Sequence, residues 1–264
     1  MTQRLPRRKT ALTRKEINEI RLELRYWYSQ NIGQMLWESE RPHLESLLQK
    51  LFGYHLLHIG CPLDDLLSVS RVRHCAVVDT QSYGASIAPH CYAYPDALPI
   101  SSASVDVVLL PHTLEFERDP HQVLREVDRV LIAEGHVLIL GFNPWSLWGI
   151  RRFFSRRSRH LSPPWCGRFL SLTRVKDWLA LLGFDIVLVE PCFFRPPLNH
   201  EGIMRKLHFM ETLGARWWPR LGGAYVLVAK KRVTTFTPIK PRWRPQRSLV
   251  GKLAEPAVRN AHDG

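Results

Sequence analysis

Three short stretches carry the residue types that could do chemistry. His112, Glu115 and His121 are titratable groups that follow the apolar run VDVVLLP (105–111). Side chains of these types pass protons when they lie within hydrogen-bond reach of a reacting group. His112, next to the run, is the candidate base; Glu115 reads as a local cap or pair, and His121 as part of a helix's first turn. Asp79 ends a second run, CAVVD. A carboxylate there can accept both hydroxyls of a ribose in a nucleotide-binding α/β sheet; the plainer alternative is a turn aspartate before Thr80. The third stretch, HIGCPLD (58–64), sets Gly60 and Cys61 where a chain could turn sharply toward a ligand. No Ser-His-Asp order, H-E-x-x-H, P-loop or EF-hand loop is present. Five scattered cysteines without a C-x-x-C pair argue against a disulfide framework and a zinc site. No metal is expected, and the thiols fit a reducing, cytoplasmic setting.

The elements that must position these groups are readable from hydrophobic period. Apolar residues recur at helical spacing from about Lys15 to Gly53, which predicts two helices broken near WYSQNIGQMLW. Strands are expected at 54–60, 75–79, 90–94, 105–111, 136–142, 184–194 and 224–232, the last antiparallel at the sheet's edge. Between the fourth and fifth, Asp119 is a natural N-cap and Pro120 suits the first turn. Val123, Leu124, Val127, Val130 and Leu131 form the buried stripe of that helix, and Gly135 is expected to stop it in the left-handed position. A further helix over 172–183 ends on Gly183. Strands alternating with helices specify a doubly wound α/β sheet, with ligands beyond the strands' carboxyl ends.

The stretch 98–131 resembles the second half of the class I S-adenosylmethionine-dependent methyltransferase domain. The residues that carry the likeness are Leu98-Pro99, Val105-Asp106-Val107-Val108, Leu114-Glu115, Asp119-Pro120, Leu124-Arg125-Glu126 and Arg129-Val130-Leu131. With GFNPWSLWG (141–149), the chain looks like a proteobacterial methyltransferase-domain group, over roughly residues 20 to 232. The resemblance implies a seven-stranded Rossmann-like sheet with an N-terminal helical lid, and S-adenosylmethionine as cofactor. It implies cofactor contacts at Gly60, Cys61, Asp79, Ala97, Leu98, Pro111 and His112, with Ala97-Leu98 beside the adenine. His112 is then the catalytic candidate, for an acceptor that is a small molecule or a macromolecule. The family's glycine loop is depleted here: His58 stands at its acid, Pro62 and Asp64 at its second and third glycines. That departure motivates an alternative, a catalytically inactive relative acting as an RNA- or membrane-binding module. A nicotinamide enzyme is disfavoured because G-x-G-x-x-G follows no strand.

Charge is unevenly placed. The formal net charge is +13 over 264 residues, yet residues 1–15, 151–160 and 233–264 carry +6, +5 and +4, leaving the remainder at −2. Residues 1–14 and 233–264 read as disordered basic arms around a domain at 15–232, with its lid at 15–53, sheet core at 54–232 and a cap insert at 143–172. WSLWGIRRFFSRRSRH (145–160) interleaves aromatics with five arginines. With the tails, it is the candidate contact for RNA or an anionic membrane. The competing expectation has its aromatics turned inward to roof the active site and its arginines solvated.

Overall fold

The computed structural model describes residues 14–60, 66–80, 89–155, 162–198 and 201–232. The basic arms, save Arg14, which the structure places in the first helix rather than in the arm expected at 1–14, lie outside the described residues, as do Cys61, Pro62 and Asp64 of the depleted loop and Arg156, Arg157 and Arg159.

Two helices come first, α1 (Arg14–Tyr28) and α2 (Asn31–Leu48). They break at Ser29–Gln30; Gly33 falls in the first turn of α2, where a Cβ would sit 2.2 Å from the Trp27 carbonyl oxygen. The strands follow as β1 (His55–Ile59), β2 (His74–Asp79), β3 (His90–Tyr92), β4 (Val105–Pro111), β5 (Leu131–Phe142), β6 (Phe184–Cys192) and β7 (Ala224–Lys231). The helices after β4 are α3 (Pro120–Val130), α4 (Leu147–Ser155), α5 (Leu172–Leu181), α6 (Glu201–Lys206) and α7 (Phe209–Trp217). The sheet order is β3-β2-β1-β4-β5-β7-β6, parallel throughout except for β7.

This is the Rossmann-like α/β sheet of the methyltransferase plan. Its strands read as continuous apolar runs because both faces are covered. Leu56, Val107, Leu109, Leu138 and Val226 pack on one side with Leu36, Leu44 and Leu48 of α2. Leu57, Val108, Leu110, Ile139 and Leu227 pack on the other with Val123, Val127, Val175 and Leu179 of α3 and α5. Asp119 caps α3 as its position predicts, accepting from the amides of His121 and Gln122 at 3.0 and 3.3 Å. Gly183 adopts φ +82 just past α5.

Two expectations are corrected. The antiparallel β7 is not the edge strand: it lies between β5 and β6, paired with both. Six of its eight residues are buried, whereas most of β6 is only partly so, as the outer strand must be. Nor does Gly135 end α3. The helix stops at Val130 because Leu131 drops into the sheet opposite Val105. The register then shifts before His136 pairs with Val107. Glu134, not Gly135, takes the left-handed φ of +64. A Cβ on Gly135 would stand 3.0 Å from the Asp106 carbonyl oxygen, so the close approach favours glycine there.

Candidate active site

The carboxyl ends of β1, β2 and β4 converge beneath α1. After β1, Gly60 adopts φ +106, and a Cβ there would meet Thr113 Oγ1 at 2.5 Å. Thr113 in turn donates to the Ile59 carbonyl at 2.7 Å, tying the end of β1 to the residue after His112. Both facts demand glycine at position 60.

Asp79, fully buried at the end of β2, is engaged from above. Arg21 of α1 donates to Asp79 Oδ1 and to Glu117, so one guanidinium bridges two buried carboxylates. Burial raises the Glu117 carboxyl above the usual range even with this partner, whose charge and hydrogen bond pull it back down. Asp79 Oδ1 also accepts from the Thr80 amide at 2.6 Å, whereas Oδ2 is buried without a partner among the described residues. At the neighbouring edge, Arg14 lies 4.2 Å over the Tyr94 ring and 3.8 Å from Asp96. Ala97 is exposed and Leu98 buried; their amides donate to the Tyr94 carbonyl and to Glu126 Oε2, at 3.0 and 2.9 Å.

His112 follows β4 with φ +47, a region side chains seldom occupy and one over-represented at functional sites. Its Nε2 lies 2.8 Å from Glu40 Oε1 and its Nδ1 3.4 Å from Glu115 Oε1. All three groups are buried. Burial alone would lower the imidazole pKa, but the two carboxylates outweigh it and hold it up at about 9. Glu115 Oε1 accepts from the Phe142 amide at 2.8 Å, and the Phe142 ring lies 4.1 Å from the imidazole. Glu40 Oε2 and Glu115 Oε2 have no partner among the described residues. His121 stands apart on the surface of α3, its ring 3.9 Å from that of Trp178.

The structure thus brings Gly60, Asp79, Pro111 and His112 to one edge of the sheet. Arg21, Glu40 and Glu117 were missed by reading types and spacing at strand ends alone. Arg21 is four residues after Ile17 and three before Leu24; Glu40 is four after Leu36 and four before Leu44. A charged residue inside an apolar stripe is the signal that could have found two of them.

Farther along the same edge, a cleft of about 630 Å³ opens at the end of β6. Pro42 and His43 of α2 form one wall, and Cys192, Phe194, Arg195 and Glu211 the other. Among the described residues no group of His, Cys, Asp and Glu could hold a metal ion. No helix among them is long and apolar enough to cross a membrane.

Comparison with known proteins agrees with this architecture. Residues 71–139 match the family model described as a methyltransferase domain. The uncharacterised protein YafS of Escherichia coli is 34% identical over 206 residues, covering 78% of this chain and 80% of that one. Among solved structures, a Thermotoga maritima S-adenosylmethionine-dependent methyltransferase described as a possible histamine N-methyltransferase superposes with a TM-score of 0.59. It is 16% identical, over 82% of this chain and 98% of that one. The N-methyltransferase NodS of Bradyrhizobium japonicum, solved with S-adenosylhomocysteine, gives 0.54 at 10% identity, over 82% and 97%.

Proposed function

This chain belongs to the class I methyltransferase-domain proteins, and from that premise we propose that it methylates a small acceptor with S-adenosylmethionine. The observation that carries the reading is Asp79: a buried carboxylate ending β2, one oxygen without a partner among the described residues, beside a glycine at positive φ. An unpartnered buried oxygen is costly, and a ribose hydroxyl would satisfy it. Gly60, Pro111 and His112 frame the rest of that place. The 630 Å³ cleft at the end of β6 suits a small acceptor.

When bound, the cofactor supplies an electrophilic methyl group on a sulfonium. The chain's own task is to orient the acceptor and dispose of its proton. His112 does not fit the expected role of free base, because with a pKa of about 9 it already carries a proton at neutral pH. It positions Glu40 and Glu115, whose spare oxygens are left to accept one.

One observation favours a second reading, a methyltransferase-fold protein without activity. Arg21 already holds Asp79, and the amides of Ala97 and Leu98 are spent within the chain, so a nucleotide must displace internal partners. Calorimetric titration with S-adenosylhomocysteine separates the two. Saturable binding is expected, weakened by about 1–3 kcal/mol in Asp79→Asn. No binding by the intact chain rejects the enzyme reading; unchanged affinity in the variant removes Asp79 from the site.

A further inference from the structure

α4 is turned opposite to what a roof over the active site requires. Trp148 is its one buried side chain: it donates through Nε1 to the Arg195 carbonyl at 3.0 Å and stacks on Trp165 and Phe142. Arg151 donates to the Pro197 carbonyl and lies 4.7 Å over the Trp165 ring. Arg152 donates to the Gly167 carbonyl at 2.6 Å and lies 5.1 Å over Phe169. Arg151 and Arg152, the arginines described on α4, are therefore spent on the protein, and the apolar arc faces outward. Leu147, Ile150, Phe153 and Phe154 are 44%, 53%, 68% and 66% exposed, with Trp145 at 74% just before the helix. Asn143 ties this segment to the chain after α7 by donating to the carbonyls of Arg220 and Gly222 at 2.8 and 2.9 Å. There Trp217, Trp218 and Leu221 are also exposed.

Along the chain, the charge on either side of these segments has one sign. No Asp or Glu occurs between Glu134 and Asp177, a stretch with eight Lys and Arg, nor between Glu211 and Glu255. Arg168, Arg174, Arg216 and Arg220 are exposed. We infer that the α4 face, continued through Trp217 and Trp218, is a docking surface for an anionic lipid bilayer, in which the protein lies at the interface without spanning it. Aliphatic and aromatic side chains on one arc of a helix, Trp near its start and cations without acids around it, have the chemistry of interfacial insertion. A single-stranded nucleic acid would instead need arginines on α4 turned outward to follow phosphates beside its rings, whereas Arg151 and Arg152 are turned onto the protein's own carbonyls. Leu147 and Ile150 offer no base a stacking surface.

The full chain should sediment with phosphatidylcholine vesicles containing about one-third phosphatidylglycerol, and far less with phosphatidylcholine alone, at ~150 mM salt. Phe153→Ser with Phe154→Ser removes two exposed rings, each worth on the order of tenfold when buried. The pair should lower vesicle partition at least about tenfold, while melting temperature and S-adenosylhomocysteine affinity in solution stay those of the wild type. The proposal is overturned by absence of binding to anionic vesicles, or by unchanged partition of the variant. It is equally overturned if light scattering shows a dimer that the variant dissociates, or if an oligonucleotide binds in preference to vesicles.

Discussion

His112 lies between Glu40 and Glu115 with all three side chains shut away from water, so its protonation is tied to folding. A histidine whose folded pKa is raised stabilises the fold fully below its unfolded pKa near 6.5, and that contribution is lost as pH climbs through the folded value. With the folded value at about 9, the window runs from roughly pH 6.5 to 9, and the contribution is on the order of 3 kcal/mol. Melting temperature should fall across that window in the wild type and fall less in Glu40→Gln, measured by circular dichroism at matched ionic strength. Equal slopes would show that the imidazole does not carry the proton. Asp79 and His112 were legible in the sequence because each ends an apolar strand. Their partners were not, because a side chain that reaches across from another element leaves no mark at the strand it touches. His112 illustrates the cost: free-base chemistry was expected of it before the carboxylates beside it were known.

At the scale of elements, α1 is more than a cover, since its guanidinium separates two buried carboxylates at the cofactor's expected place. Arg21→Met would leave Asp79 and Glu117 facing each other without a counter-charge. Losing one partner of a buried ionic group costs about 3–5 kcal/mol, so chemical denaturation at pH 7 should show a loss of that order. Glu117 is held above the usual carboxylate range even beside Arg21, and burial will push it higher once the arginine is gone. A raised carboxyl pKa means the folded state binds its proton more tightly than the unfolded chain. The deficit should therefore shrink as pH is lowered toward 5, and Glu117→Gln added to Arg21→Met should restore most of the stability at pH 7. A deficit independent of pH would argue that packing, not charge, is lost. Element identities were legible wherever period and caps agreed, as in α3 and α5. The end of α3 was not, because Leu131 suits a helix stripe and a strand equally well, and only the pairing with Val105 decides. On α4 the mixture of aromatics and arginines was visible and its direction was not: composition shows what a helix carries, while Trp148 and the inward arginines set where its apolar side chains point.

For the whole molecule, charge and sheet order matter most. Residues 1–13 and 233–264 hold much of the net positive charge but lack a periodic apolar stripe. A protein trimmed to 14–232 keeps Arg14 beside Asp96 and should melt within ~5 °C of the full chain; a larger drop in calorimetry would show that the arms pack. The sheet's order was only partly legible, because seven apolar strands announce a doubly wound sheet without saying where an antiparallel one inserts. Its position in the middle has a consequence for synthesis. β7 follows every other strand among the described residues, yet it fills the slot between β5 and β6, pairing with seven residues of one and eight of the other. Until Lys231 has emerged, two strands with unpaired inner edges wait side by side, each a template for a foreign strand. A message truncated even a few codons before Ala224 thus yields a split sheet prone to aggregate, so premature termination there should be cleared as misfolded product, whereas termination just past Arg232 should be tolerated.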